Sequence, residues 1–141
     1  GVLGPLLVEQ PASLIIANRT ADKARVLAKA FDDIGSVDGC GLDALEGERF
    51  EVVINATSSG LDGDVPTLPA SIVAEGATAY DMFYSAEPTP FLRWAEANGA
   101  FRTRDGLGML VEQAAASLEL WRRIRPSTEP VIEALRHDTR P

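Results

Sequence analysis

Asn18, Arg19, Thr20, Ala21, Asp22 and Lys23 follow the apolar run at residues 13–17 and open a stretch of helical period. In open parallel sheets, ligands gather at the carboxyl ends of the strands, where such a junction lies. An Asp or Glu there accepts hydrogen bonds from a ribose 2′-hydroxyl. This chain has Asn, Arg and Thr instead, with Lys23 one helical step on. Arginine grips a phosphate through two parallel N–H bonds and stacks on a purine face. The Thr20 hydroxyl can donate, and a helix N-terminus favours negative charge. Together these suit a nucleotide 2′-phosphate, as in NADP. The same residues also make a plain Thr20 N-cap followed by two solvated cations.

Three further stretches stand at strand ends or helix starts. Asn55, Thr57, Ser58 and Gly60 close the run FEVVINA, where small hydroxyl and glycine residues let a ligand approach the backbone, or simply make a turn. Tyr80-Asp81-Met82-Phe83-Tyr84 places Met82 and Tyr84 where they can stack on a flat ring or pack in a core. Asp105-Gly106-Leu107-Gly108-Met109-Leu110 leads into a long helix with Met109 and Gln113 on one face. Gln113 is placed to reach a polar substrate or to be an ordinary solvated residue. Cys40 and His137 are the only thiol and imidazole; Cys40 reads as a packing residue and His137 as solvent-exposed. The carboxylates form no acid/base pair, so we assign no catalytic residue and no metal site.

The elements that position these stretches alternate. Helical period covers residues 2–8, 21–33, 90–98, 108–124 and 128–137, and short apolar runs at 13–17, 50–56, 78–83 and 101–103 read as strands. A further short strand is expected at 36–39, helical turns at 42–45 and 72–74, and a Pro/Gly-rich loop at 61–69. Strand 13–17 is expected to be buried on both faces. On the long helix, Leu110, Ala114, Ser117, Leu118, Trp121 and Ile124 form the expected core stripe, and Trp94 and Trp121 are assigned to the core. Alternation of this kind implies an α/β domain with a mostly parallel sheet. No repeat or linker interrupts the 141 residues, so one domain is expected over 1–141.

Composition narrows the function. A formal charge of −8 argues against nucleic acid, which demands clustered basic charge. No apolar run approaches the roughly 20 residues of a membrane span. One cysteine excludes an intrachain disulfide and fits a reducing, cytoplasmic setting. The chain opens Gly1-Val2-Leu3-Gly4, with no initiator Met or signal-peptide pattern, and is expected to be a segment whose beginning lies elsewhere.

The order of the pieces resembles the C-terminal, NADP-binding domain of the shikimate dehydrogenase family. The resemblance rests on NRTADK at 18–23, FEVVINATSSG at 50–60, YDMFY at 80–84 with PTPFL at 88–92, and DGLGMLVEQAA at 105–115, and runs from Gly1 to about residue 135. It implies a Rossmann-like doubly wound parallel sheet in three α/β/α layers, of order 3-2-1-4-5-6. The family's GAGGA-like turn should lie just before Gly1, so this chain is expected to lack it and the first strand. The family reduces 3-dehydroshikimate to shikimate with NADPH, on the route to chorismate and the aromatic amino acids.

Residue by residue, the resemblance puts Asn18 to Lys23 on the adenosine 2′-phosphate, and the Asn55–Gly60 turn beside the pyrophosphate and nicotinamide ribose. Met82, Gly106 and Met109 border the nicotinamide, and Tyr84 and Gln113 reach shikimate hydroxyls. The family's catalytic Lys and Asp sit on a separate N-terminal domain, so this chain alone is expected to be inactive and to bind NADP weakly. The full enzyme is a possible homodimer. Related readings are the often NAD-linked quinate/shikimate dehydrogenases, a non-catalytic nucleotide-binding module and, more distantly, the domain of glutamyl-tRNA reductase.

Overall fold

The computed structural model describes residues 2–57 and 67–138. They gather into two compact units, one within residues 1–48 and 67–69, the other within 49–66 and 70–141. Every strand ladder is parallel, and the fold is α/β.

The first unit runs α1 (Leu3–Val8), β1 (Leu14–Asn18), α2 (Ala21–Lys29) and β2 (Val37–Gly41), then a 3-10 turn at Leu42–Leu45. β1 pairs in parallel with β2, from Leu14 opposite Val37 to Asn18 opposite Gly41. Its core joins Leu7, Ala28 and Val37, with Leu14, Ile16 and Phe31 packed against them. Ala24 and Ala28, one turn apart, are the buried face of α2. Gly39 lets that helix lie flush on β2, because a Cβ there would stand 2.6 Å from the Ala24 backbone. All five residues of β1 are only half-buried, contrary to the expectation of burial on both faces. α2 stops at Lys29, short of the expected Asp33. The N–H groups of Ala30 and Phe31 bond three residues back, tightening the last turn. Asp32 and Asp33 would oppose the negative end of a longer helix.

The second unit contains β3 (Phe50–Asn55), a 3-10 turn (Ala70–Ile72), β4 (Val73–Asp81), α3 (Pro90–Ala97), β5 (Arg102–Arg104), α4 (Leu107–Arg122) and α5 (Glu129–Asp138). The sheet order is β3-β4-β5. β4 starts earlier than its sequence suggests, because an irregularity interrupts its pairing. Phe50 faces Val73, yet Val52 faces Thr78. Gly76 takes a φ of 78° inside that excursion, a conformation that an L side chain rarely adopts.

α3 is capped by Thr89, whose side chain accepts from the Leu92 N–H, with Pro90 in the first turn. Phe91, Leu92 and Ala95 are its buried face, and Phe91 stacks on the half-buried Trp94. On α4 the buried residues are Leu107, Val111 and Ala115, not the stripe that starts at Leu110. Ala114, Ala115 and Ala116 make the helix apolar on more than one side, so period alone cannot pick its inner face. Trp121, assigned to the core, is 75% exposed, and Leu110, Leu118 and Ile124 are also exposed.

α4 and α5 are joined by polar contacts. Arg125 bridges Glu112 and Glu119 at 2.9 Å each, and Thr128 donates to Glu112. Arg136 on α5 grips Asp105, just before α4, through both guanidinium nitrogens. Asp105 is largely buried while Arg136 is half-exposed. Arg136→Ala is expected to lower stability by about 1 kcal/mol, the upper end for partly exposed pairs. Urea unfolding at low and high salt checks this, with the difference shrinking as salt screens the pair.

Candidate functional site

The first candidate group is the junction between β1 and α2. Asn18 ends the strand, and its Oδ1 accepts the Thr20 N–H at 2.9 Å, so the turn is held by an Asn side chain. The Thr20 hydroxyl makes no capping bond, although Thr20 stands at the N-cap; that part of the plain-cap reading does not hold. Its carbonyl accepts the Lys23 N–H instead. Ala21 is half-buried, whereas Arg19, Thr20, Asp22 and Lys23 are exposed. Asp22 pairs with Arg25 at 2.9 Å, which offsets the one negative side chain at this helix start. Among the described residues, Arg19 and Lys23 enter no ion pair. The junction therefore presents two cations and a free hydroxyl beside the positive end of a helix.

Cys40 lies in the same unit, on β2. Burial, followed by Asp43 and Glu48, pushes its thiol above the usual range. This chemistry makes Cys40 a poor nucleophile, in keeping with a packing residue. We expect iodoacetamide to alkylate the folded protein severalfold more slowly than the urea-unfolded chain at pH 8. The unfolded thiol loses its proton first, so this group's contribution to stability falls as pH rises past the ordinary thiol range.

The second group lies at the carboxyl ends of β3 and β4. Asn55 and Asp81 are the paired last residues of the two strands, and both are buried. Asn55 Nδ2 donates to Asp81 Oδ1 at 3.1 Å. Asn55 Oδ1 accepts from the Thr57 N–H at 3.1 Å and from its hydroxyl at 2.7 Å. The Asn55 amide is thus occupied inside the protein, and Thr57 continues the chain on the exposed side. Ser58 and Gly60 lie outside the described residues.

Met82 donates its N–H to the Asn55 carbonyl at 2.9 Å, and Gly106 donates to the Phe83 carbonyl at 3.1 Å. Asn55, Met82 and Gly106 are therefore brought together by backbone contacts, and Thr57 joins them through the Asn55 side chain. Gly106 is buried so closely on this segment that a Cβ would stand 2.1 Å from the Met82 carbonyl oxygen. Tyr84 is 37% exposed, and its ring stacks on Phe83. Met109 is half-buried in the first turn of α4, and Gln113, one turn on, is exposed. Tyr80 is pushed up by burial and then by Asp105. Asp81, Thr89, Asp105 and Arg136 were given no role from sequence. The signals available were an Asp ending an apolar strand and a Thr-Pro pair opening a helix.

The family model for the shikimate 5′-dehydrogenase C-terminal domain matches residues 106–136. The shikimate dehydrogenase (NADP(+)) of Methylococcus capsulatus is 53% identical over 140 residues, 99% of this chain and 50% of that protein. That of Cellvibrio japonicus is 56% identical over 136 residues, 96% of this chain and 49% of that protein. Along nearly its whole length the chain is similar to shikimate dehydrogenases. It spans about half the length of the curated relatives it matches. Among solved structures, an Ael1 enzyme from Pseudomonas putida superposes with a TM-score of 0.84 at 43% identity, over 94% of this chain and 49% of that one. The shikimate 5-dehydrogenase of Thermus thermophilus, solved with NADP(H) and shikimate, gives 0.75 at 30% identity, over 96% of this chain and 49% of that one.

Proposed function

We propose that this chain is the NADP-binding domain of an NADP-dependent shikimate dehydrogenase, whose full-length form reduces 3-dehydroshikimate to shikimate with NADPH. The observation that carries this reading is the β1–α2 junction: exposed Arg19 and Lys23 with no ion partner among the described residues, and Asp22 already paired with Arg25. Relatives named for NADP(+) support it.

In this reading Arg19, Thr20 and Lys23 hold the 2′-phosphate. Asn18 shapes their turn, while Ala21 and Asp22 line it. Asn55 and Thr57 lie beside the pyrophosphate and nicotinamide ribose, and Ser58 and Gly60 are assigned to the same part of the cofactor. Met82, Gly106 and Met109 border the nicotinamide and keep water from it. Tyr84 and Gln113 offer a hydroxyl and an amide to the substrate's hydroxyls. Bound NADPH supplies the hydride. No residue here is assigned the accompanying proton, which falls to residues in the remaining half of the relatives' length. A cytoplasmic location and a homodimer of the full-length protein belong to the same reading.

The test is turnover by the full-length protein, followed as loss of NADPH absorbance with 3-dehydroshikimate, with NADH and quinate alongside. A strong NADPH preference is expected. Equal use of NADH together with quinate turnover would place the protein with the NAD-linked quinate/shikimate group.

A further inference from the structure

Asp81 is fully buried, and its partners in hydrogen bonding are uncharged donors. Its Oδ1 accepts from Asn55 Nδ2 and from the Phe83 N–H, both at 3.1 Å. Its Oδ2 accepts from the Thr89 hydroxyl at 2.6 Å. Thr89 is buried as well, and its oxygen also accepts the Leu92 N–H at the start of α3. The bond between Asp81 and Thr89 closes the base of the excursion at residues 82–88, which carries Met82 and Tyr84. Within that excursion the Ser85 hydroxyl reaches the Glu87 carbonyl, and the Arg93 guanidinium reaches the Pro88 carbonyl.

A buried carboxylate is costly unless its oxygens are well satisfied. Here three donors converge on one carboxyl group, and an Asn in its place keeps all three contacts only if the Thr89 hydroxyl turns from donor to acceptor. Two ends of the fold meet on this one side chain, the β3 terminus through Asn55 and the α3 cap through Thr89. Between them the Phe83 N–H is fixed, and with it the direction in which Tyr84 leaves the strand.

We propose that Asp81, clamped by Asn55 and Thr89, is the positioning residue that fixes the Met82–Tyr84 segment against the substrate. The proposal rests on the functional reading above for its kinetic consequence, but not for its structural one. Asp81 is buried behind the segment it holds, and Thr89 acts through it while also capping α3 at Leu92. A loosened segment would misplace Tyr84 and Met82, and small misplacements at a site cost rate steeply.

The test uses the full-length protein with Thr89→Val, Asp81→Asn and the conservative Thr89→Ser. Thr89→Val removes the donor to Oδ2 without changing side-chain volume much. We expect it to raise KM for 3-dehydroshikimate about tenfold and to lower kcat, with the NADPH dissociation constant within about twofold of wild type. Asp81→Asn should act in the same direction, and Thr89→Ser should restore wild-type values because its hydroxyl can still donate. Folded Thr89→Val and Asp81→Asn proteins with wild-type KM and kcat would overturn the proposal.

Amide hydrogen exchange separates the two ideas. If the wild type does not reduce 3-dehydroshikimate, the functional reading fails, and exchange then decides the positioning. Faster exchange in Thr89→Val at residues 82–84, beyond the first turn of α3 whose Leu92 cap is also lost, with α2 amides unchanged, supports it. Unchanged exchange at those residues, or loss of protection throughout, overturns it.

Discussion

Arg19→Asp in the full-length protein is expected to lower kcat/KM for NADPH by about a hundredfold and to leave kcat/KM for NADH within about twofold. A charge-assisted bond to a phosphate contributes about 1.5–3 kcal/mol, and each 1.4 kcal/mol is a factor of about ten. Replacing the guanidinium by a carboxylate removes that bond and adds repulsion at the same place. NADH carries no 2′-phosphate and loses neither. The fold should be untouched, because Arg19 is exposed and enters no ion pair among the described residues. Steady-state kinetics with both cofactors check the split. An equal loss with both would mean that Arg19 acts on a part the two cofactors share, such as the adenine face.

The second large effect is expected at Gly106. Its φ of −77° is open to any residue, so only space restricts the position. A Cβ there would stand 2.1 Å from the Met82 carbonyl oxygen and 2.7 Å from its carbon. Both are backbone atoms held in place by hydrogen bonds, Met82 N–H to Asn55 and Gly106 N–H to Phe83. A backbone so tied cannot swing away as a flexible side chain would. Gly106→Ala therefore has to part the two segments, at a cost of about 2–3 kcal/mol. Gly108 is the control: it lies inside α4, and nothing stands within 4 Å of its added Cβ. Gly108→Ala is expected to be neutral or to stabilise by about 0.5–1 kcal/mol. Urea unfolding of the two variants should shift midpoints in opposite directions, or Gly106 alone should shift. Equal midpoints would mean that the close approach to Met82 is not a constraint.

How far the sequence foretold this arrangement depends on what each element uses to declare itself. β3 could be read directly, since FEVVIN is a β-branched run bounded by turn residues. So could α3, where Pro90 and Gly99 mark the two ends. The inner face of α4 could not, because three adjacent alanines blur its period and the choice falls to packing against distant residues. β1 matched the pattern of a strand buried on both faces, yet it is half-buried along its whole length. Local residue types do not report how many layers cover a strand.

The candidate site divides in the same way. Arg19 and Lys23 could be chosen from charge at a strand-to-helix junction, and the structure leaves both exposed there. Asn55 was chosen for its place at a strand end, but its amide is committed to Asp81 and Thr57. That commitment depends on the register that sets Asn55 opposite Asp81, which no local pattern reveals. Asp81 and Thr89 went unassigned for the same reason. Each is unremarkable alone, and only the fold brings the carboxylate to the hydroxyl.

The central claim is that the junction from Asn18 to Lys23 recognises a 2′-phosphate. Its most direct measurement is calorimetric titration of the full-length protein with adenosine 2′,5′-bisphosphate and with adenosine 5′-monophosphate, on wild type and Arg19→Ala. The account predicts at least about tenfold tighter binding of the bisphosphate to wild type, falling toward parity in the variant. Equal affinity of wild type for the two nucleotides would contradict it.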